Sequence, residues 1–184
     1  MTDDQLIDEA LAGRSAAFGQ LVLKYQDRLF TALAHAIGCV EDARDAAQDA
    51  FVQAFVKLET FRGNSSFYTW LYRIAFNAAA SRARRKRPAE SLEVRREAAG
   101  LEPLDHRNGR PTDGLERRER VDRVRAALDG LPDDYRVVIV LREIDGCDYE
   151  QISDILDVPV GTVRSRLHRA RLQLKEQLKA VVTE

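Results

Sequence analysis

One ten-residue run, Phe67-Tyr-Thr-Trp-Leu-Tyr-Arg-Ile-Ala-Phe, holds five of the chain's thirteen aromatic side chains, and arginines follow within two turns. On a helix, Trp70, Arg73, Asn77, Ser81 and Arg84 fall along one side at spacings of three and four. Phe67, Leu71, Ile74, Ala75 and Ala78 take the side that faces a core. Aromatic rings beside cations suit unpaired nucleotides, because every base has a π-face and every nucleotide a phosphate. Asn77 adds a donor and an acceptor able to read a base edge. The plainer reading keeps Phe67 and Phe76, and Trp70 with them, in the core. Gly63 and Asn64 mark a turn ahead of this helix, with Ser65 or Ser66 as its N-cap.

A second basic segment lies near the other end. Tyr149-Glu-Gln-Ile-Ser-Asp-Ile-Leu reads as a short helix with Ile152, Ile155 and Leu156 on one face. Asp157-Val-Pro-Val breaks it, and a longer helix opens at Gly161. Two helices about a tight turn are what a helix-turn-helix requires. On the second helix Val163, Leu167, Ala170, Leu174 and Leu178 form the apolar stripe. Ser165, His168 and Arg169 project from the opposite side with Arg164 at its margin, in position for base edges in a major groove. Arg166 and Arg171, which flank the stripe, and Thr162 near the helix start suit phosphates instead. His168 has no second ligand near it in sequence, which argues against a metal.

Ahead of both lies an acidic helix. Asp45, Gln48, Asp49, Val52 and Gln53 stand opposite an Ala47, Ala50, Phe51, Ala54, Phe55 and Leu58 stripe. No His accompanies the acids, so docking against a basic protein surface, or plain solvation, fits them better than metal or acid–base chemistry. His35 and Cys39 sit one turn apart with no further Cys or His near them, too little for zinc. A Gly-rich phosphate loop and a paired nucleophile and base are both missing, which sets an enzyme well behind a binding protein.

These elements sit in a chain of 184 residues with 29 Lys and Arg against 30 Asp and Glu, a formal net charge of −1. The balance excludes a uniformly basic coat, but the charge is unevenly spread. Met1 to Thr60 carries ten acids against five bases, Ser81 to Arg87 five bases and no acid, and Gly161 to Lys179 six bases against one acid. Residues 1–87 contain no proline and show helical periodicity, as in Leu21, Val22, Tyr25, Leu29, Leu33 and Ile37. Residues 88–118 gather six of the fifteen Gly and Pro and read as a flexible linker. Residues 119–184 resume the pattern with Val121, Val124 and Leu128. The expectation is an all-α chain of two small domains. Two cysteines cannot build a disulfide framework, no apolar run approaches membrane length, and the acidic start lacks a signal-peptide pattern. A cytoplasmic protein is expected.

Taken together, the segments resemble a bacterial group IV (extracytoplasmic-function, ECF) sigma factor of the sigma-E type. Phe61-Arg-Gly-Asn-Ser-Ser-Phe-Tyr-Thr-Trp-Leu-Tyr-Arg-Ile-Ala-Phe-Asn is similar to conserved region 2.3 running into 2.4. Leu141-Arg-Glu-Ile-Asp-Gly-Cys-Asp-Tyr-Glu-Gln-Ile-Ser and Pro159-Val-Gly-Thr-Val-Arg-Ser-Arg-Leu-His-Arg-Ala-Arg are similar to region 4. The resemblance implies a region 2 helical bundle over 1–87 and a region 4 helix-turn-helix over 119–184, joined by a linker over 88–118. It implies that Asp45, Gln48 and Asp49 dock on the β′ clamp of core RNA polymerase and that region 4 meets the β flap. Asn77 would help hold a flipped −10 base, and Trp70, Tyr72 and Arg73 would assist strand opening. Arg82, Arg84 and Arg85 would lie near backbone phosphates. Arg142, Thr162, Arg164, Ser165, Arg166, His168, Arg169 and Arg171 would contact the −35 element. Promoter DNA, duplex and melted, and an anti-sigma factor that could hold the protein near the membrane complete the implied partners. No cofactor or catalytic residue is needed. The alternative is a two-domain helix-turn-helix regulator that binds duplex DNA as a dimer; it leaves the aromatic-basic helix and the acidic face without a role.

Overall fold

The computed structural model describes residues 1–86 and 121–182, with side chains over 1–82 and 121–179. The expected linker at 88–118 lies outside the described residues, as do the side chains of Arg84 and Arg85. Among the described residues every regular element is helical and there is no strand.

Helix α1 (Asp3–Leu11) starts at a capping box, in which the Thr2 hydroxyl accepts from the Gln5 amide and the Gln5 side chain from the Thr2 amide. It lays Leu6 and Ile7 on the core. Helix α2 (Ser15–Ile37) is the long central element, with Leu21, Tyr25, Leu29 and Leu33 buried as their spacing predicts. Gly38 ends it in the left-handed region at φ 76°. A side chain there would also meet the Asp129 carboxylate, whose Oδ1 lies 3.1 Å from where a Cβ would stand. Helix α3 (Val40–Val56) buries a run of alanines, Ala43, Ala46, Ala47, Ala50 and Ala54, so its neighbours α2 and α4 approach closely. Helix α4 (Phe67–Lys86) starts at Ser66, whose Oγ accepts from the Thr69 amide at 3.2 Å. Phe67 is the hub of the aromatic core, with Phe18, Tyr25, Phe61 and Trp70 ring centroids 5.7–6.5 Å away. Burying one such ring stabilises by roughly 1.5–3 kcal/mol.

The second block begins with α5, residues 121–129, and continues through α6 (Asp133–Ile139). The last turn of α6 widens into a π-helical turn, Val140–Ile144. Helix α7 (Tyr149–Leu156) has a capping box of its own, Asp148 with Gln151, and stops at Asp157, which takes φ 54°. Ser153 donates to the Val158 carbonyl at 2.6 Å and fixes the turn into α8 (Val160–Val182). One buried charge organises this block. Arg136, 4% exposed, donates to the carbonyls of Leu128, Asp129 and Leu131 at 3.0–3.2 Å and so satisfies the end of α5.

The two blocks are not held apart. Helix α7 packs on α4, and α2 packs on α6 and on the π-helical turn. One buried cluster runs from Leu6 in α1 through Leu71 and Tyr72 to Ile152 and Leu167. Local periodicity gave two domains; it carried no information about this contact, which joins residues more than 70 positions apart.

Candidate nucleic-acid interface

The wheel drawn for α8 matches the burial. Val163, Leu167 and Ala170 are at most 1% exposed, while Arg164, Ser165, His168 and Arg169 all point to solvent. Three of its arginines are aimed by acids or a phenol of the preceding elements. Arg166 pairs with Asp134 at 2.7 Å, Arg171 with Glu143 at 2.6 Å, and Arg169 donates to the Tyr135 hydroxyl at 3.5 Å. Arg164 and Arg142 both lie over the Tyr149 ring, at 5.9 and 5.2 Å from its centroid. Arg142 also donates to the Cys147 carbonyl at 2.8 Å. Thr162 is half-buried at the start of α8. A rigid helix therefore presents a cationic and hydroxyl-bearing face at its N-terminal half, with each long side chain propped from below.

On α4 the structure divides the expected set. Arg73 and Asn77 are exposed on one side, and Trp70 is half-buried beside Phe61, centroids 5.3 Å apart. Tyr72 differs: it is fully buried, together with Tyr68, beneath the second block. The Tyr68 and Tyr72 rings meet at 4.1 Å in a tilted pair, and both hydroxyls donate to the Asp145 carboxylate, that of Tyr72 at 3.4 Å. Burial pushes both phenols well above their ordinary range, so they stay protonated donors. Burial likewise pushes the neighbouring Cys147 thiol up to about 11, so it stays an unreactive thiol.

The acids of α3 are exposed as expected, but Asp45 and Asp49 are engaged. Arg82 from α4 reaches both, Asp49 at 2.8 Å and Asp45 at 3.3 Å, so an expected docking pair and an expected phosphate contact meet. Gln48 is exposed beside them. Two stripe positions differ from the helical wheel: Phe55 is 50% and Val124 49% exposed. Phe55 sits in the last turn of α3, where only the edge of Phe18 meets it, at 5.0 Å. With Val52 and Val56 it extends the acidic face by an apolar step. Among the described residues no three His, Cys, Asp or Glu stand together as a metal site.

Sequence reasoning passed over three residues that organise these faces. In sequence Arg136 and Arg28 look like solvated charges, and Asp145, which accepts from Arg28 Nε at 2.8 Å, looks like an ordinary turn acid before Gly146. The one local signal is the placement of Asp145 just after the apolar run Val137–Leu141, beside Gly146.

Comparison with known proteins decides what the two faces belong to. Residues 21–89 match Sigma-70 region 2, and residues 122–174 match Sigma-70, region 4. The chain is 39% identical over 187 residues to the RNA polymerase sigma-H factor of Pseudomonas aeruginosa, covering 99% of this chain and 96% of that protein. It is 37% identical over 188 residues to the ECF RNA polymerase sigma-E factor of Escherichia coli, covering 99% and 97%. The chain belongs to the ECF sigma factors. Its fold agrees with the solved sigma factor RpoE from Bartonella quintana, in complex with the anti-sigma factor NepR: the TM-score is 0.69 at 27% identity, over 88% of this chain and 96% of that one. A sigma factor serves transcription initiation as a promoter-recognition subunit and is not an enzyme. The dimeric regulator is thereby set aside. No described helix is long and apolar enough to cross a membrane.

Proposed function

We propose that this sigma factor divides its work between the two exposed faces. Residues 1–87 dock on core polymerase and capture the −10 element, residues 119–184 read the −35 element, and residues 88–118 join them. The observation that carries this is the segregation on α8, where Arg164, Ser165, His168 and Arg169 stand exposed opposite Val163, Leu167 and Ala170, which are at most 1% exposed. Arg164 and Arg169 supply guanidinium donors for guanine O6 and N7, Ser165 and His168 serve as shorter partners, and Arg142, Thr162, Arg166 and Arg171 serve phosphates. On α4, Asn77 holds an unpaired −10 base, and Trp70 and Arg73 keep the strands apart, while Tyr72, fully buried, supports the helix from beneath. Arg82, Arg84 and Arg85 follow the backbone.

No bond is made or broken. Unstacking a base costs a few kcal/mol, and stacking returns roughly 1–3 kcal/mol per captured base, so a short series of captured bases is enough to hold an open duplex. The Asp45, Gln48 and Asp49 face, with Phe55 beside it, docks on the β′ clamp, and region 4 meets the β flap. An anti-sigma factor restrains the protein in the cytoplasm, near the membrane if that factor is itself anchored; the solved complex of RpoE with NepR supports such a partner. Run-off transcription with core polymerase tests the assignment. Arg164→Ala is expected to lower promoter retention and Asn77→Ala to lower opening. Equal activity of both variants and wild type would remove the assignment. A protein from the native host that co-purifies and blocks polymerase binding is the expected anti-sigma factor; recovering none counts against that part.

A further inference from the structure

We propose that Tyr149 is a positioning residue of the −35 face: its ring gathers the Arg142 and Arg164 guanidiniums and so sets how sharply Arg164 reads its base. The inference deepens the assignment of α8 to the −35 element and rests on it.

The ring stands on a fixed base. Tyr149 is the first residue of α7, directly after the Asp148 cap. There the Asp148 carboxylate accepts from the Gln151 amide at 2.7 Å, and the Gln151 side chain accepts from the Asp148 amide at 2.9 Å. The Tyr149 side chain is half-buried and packs against the core, in which α7 meets α8. Arg142 comes to it from the π-helical turn, 5.2 Å from the ring centroid, and is anchored by the Cys147 carbonyl at 2.8 Å. Arg164 comes to it from α8, at 5.9 Å. Both distances lie within the ~6 Å over which the negative face of a ring attracts a cation. One side chain thus joins guanidiniums from two different elements.

The kind of support differs across the face, and the difference follows the task. Arg166 and Arg171, assigned to phosphates, are held by the carboxylates of Asp134 and Glu143 at 2.7 and 2.6 Å. Those pairs engage N–H donors, and a phosphate asks for little more than a well-placed positive charge. A guanine asks for paired donors aimed at O6 and N7. Among the described residues Arg164 has no carboxylate partner; the Tyr149 ring supports it instead. A ring attracts the charge through its π-face, so the N–H donors of the guanidinium stay available to the base. An acid in its place would occupy those donors and bring negative charge toward the DNA. Without the ring, Arg164 must be ordered from free rotation each time it meets its base, which weakens the read. The hydroxyl has a separate use: Arg171, kept charged first by Glu143, is held so by the Tyr149 hydroxyl as well, against the opposing effect of burial. Ring and hydroxyl can therefore be tested apart.

The test uses holoenzyme assembled from core polymerase and the full chain, with a promoter duplex pool randomised over the −35 element. Sequencing the retained duplexes gives the base preference at each position, and Arg164→Ala marks the position that Arg164 reads as the one where preference is lost. There Tyr149→Leu lowers the preference for guanine about two- to fivefold, the change that one exposed cation–π contact supplies. Tyr149→Met, a second variant without a ring, does the same. Tyr149→Phe keeps the preference, and Tyr149→Trp, which attracts cations best, keeps or raises it. In an Arg164→Ala background Tyr149→Leu changes the preference no further. Thermal midpoints of the free chains are measured alongside, because a merely structural role would lower retention of every duplex with stability and leave the ratio between bases unmoved. A ratio unchanged across all four Tyr149 variants overturns the proposal. So does an equal loss in Tyr149→Phe and Tyr149→Leu, since the first keeps the ring. If Arg164→Ala relaxes no position, the −35 assignment itself fails, and the proposal with it.

Discussion

Replacing Arg136 with alanine removes the buried cation that closes the end of α5. Its guanidinium serves the carbonyls of Leu128, Asp129 and Leu131, and reaches that of Ala36 at the end of α2 at 3.5 Å. Leu128 and Leu131 are 4% and 3% exposed, so water cannot replace the lost donors there, whereas the exposed Asp129 rehydrates. Each orphaned buried acceptor costs about 1–3 kcal/mol, which puts the loss near 3–4 kcal/mol out of a total stability of about 5–15 kcal/mol. For a chain of this size the midpoint falls by roughly 6–16 °C. Arg136→Lys keeps the charge but not the planar fork, and is expected to lose about half as much. Urea denaturation followed by circular dichroism measures both. Because α6 also carries Asp134 and Tyr135, which prop Arg166 and Arg169, duplex retention should fall with stability. A shift of Arg136→Ala within about 0.5 kcal/mol of wild type would refute the reasoning, since it would mean the carbonyls need no donor.

Three further expectations follow from single contacts. Arg164→Ala weakens −35 duplex binding by about 1–3 kcal/mol and relaxes the preference at one base, whereas Arg171→Ala weakens all duplexes alike and lowers the salt slope by about 1; titrations at several salt concentrations separate the two. Arg82→Ala costs under about 1 kcal/mol of stability, because its pairs with Asp45 and Asp49 are solvent-exposed. Core-polymerase affinity should hold or rise while promoter opening falls, which binding and opening assays on the same variant check. His35 at the end of α2 is held below its ordinary value by burial and by Arg125, against the opposing pull of Asp129. Its neutral form is the one the fold favours, so stability is steady above about pH 6.5 and declines as pH falls from there through the lowered value. Unfolding midpoints between about pH 8 and about pH 5 should show this decline in wild type and not in His35→Gln.

The parts of this molecule that were legible in the sequence are those governed by local period. Leu21, Leu29 and Leu33 on α2, and Val163, Leu167 and Ala170 on α8, are buried because a 3.6-residue repeat brings them to one face, whatever they pack against. The exposed Arg164, Ser165, His168 and Arg169 follow from the same geometry, as does Ser66 as the cap of α4. What could not be read depends on a partner far along the chain. The family resemblance implies a strand-opening role for Tyr72, yet it is covered by a loop 73 positions away. Asp145 has the local look of a solvated turn until Arg28, 117 positions earlier, is placed against it. Phe55 fails for the opposite reason: its period is correct, but at the end of α3 its ring stays half-exposed beside Phe18.

The most direct test of the residue assignment separates promoter retention from strand opening in one reaction. Holoenzyme is assembled with wild type, Arg164→Ala or Asn77→Ala, and promoter complexes are followed by gel retention and by permanganate reactivity of unpaired thymines. The residue assignment predicts that Asn77→Ala keeps duplex retention but loses thymine reactivity, and that Arg164→Ala loses retention first. Full thymine reactivity in Asn77→Ala, or unchanged retention in Arg164→Ala, would contradict it.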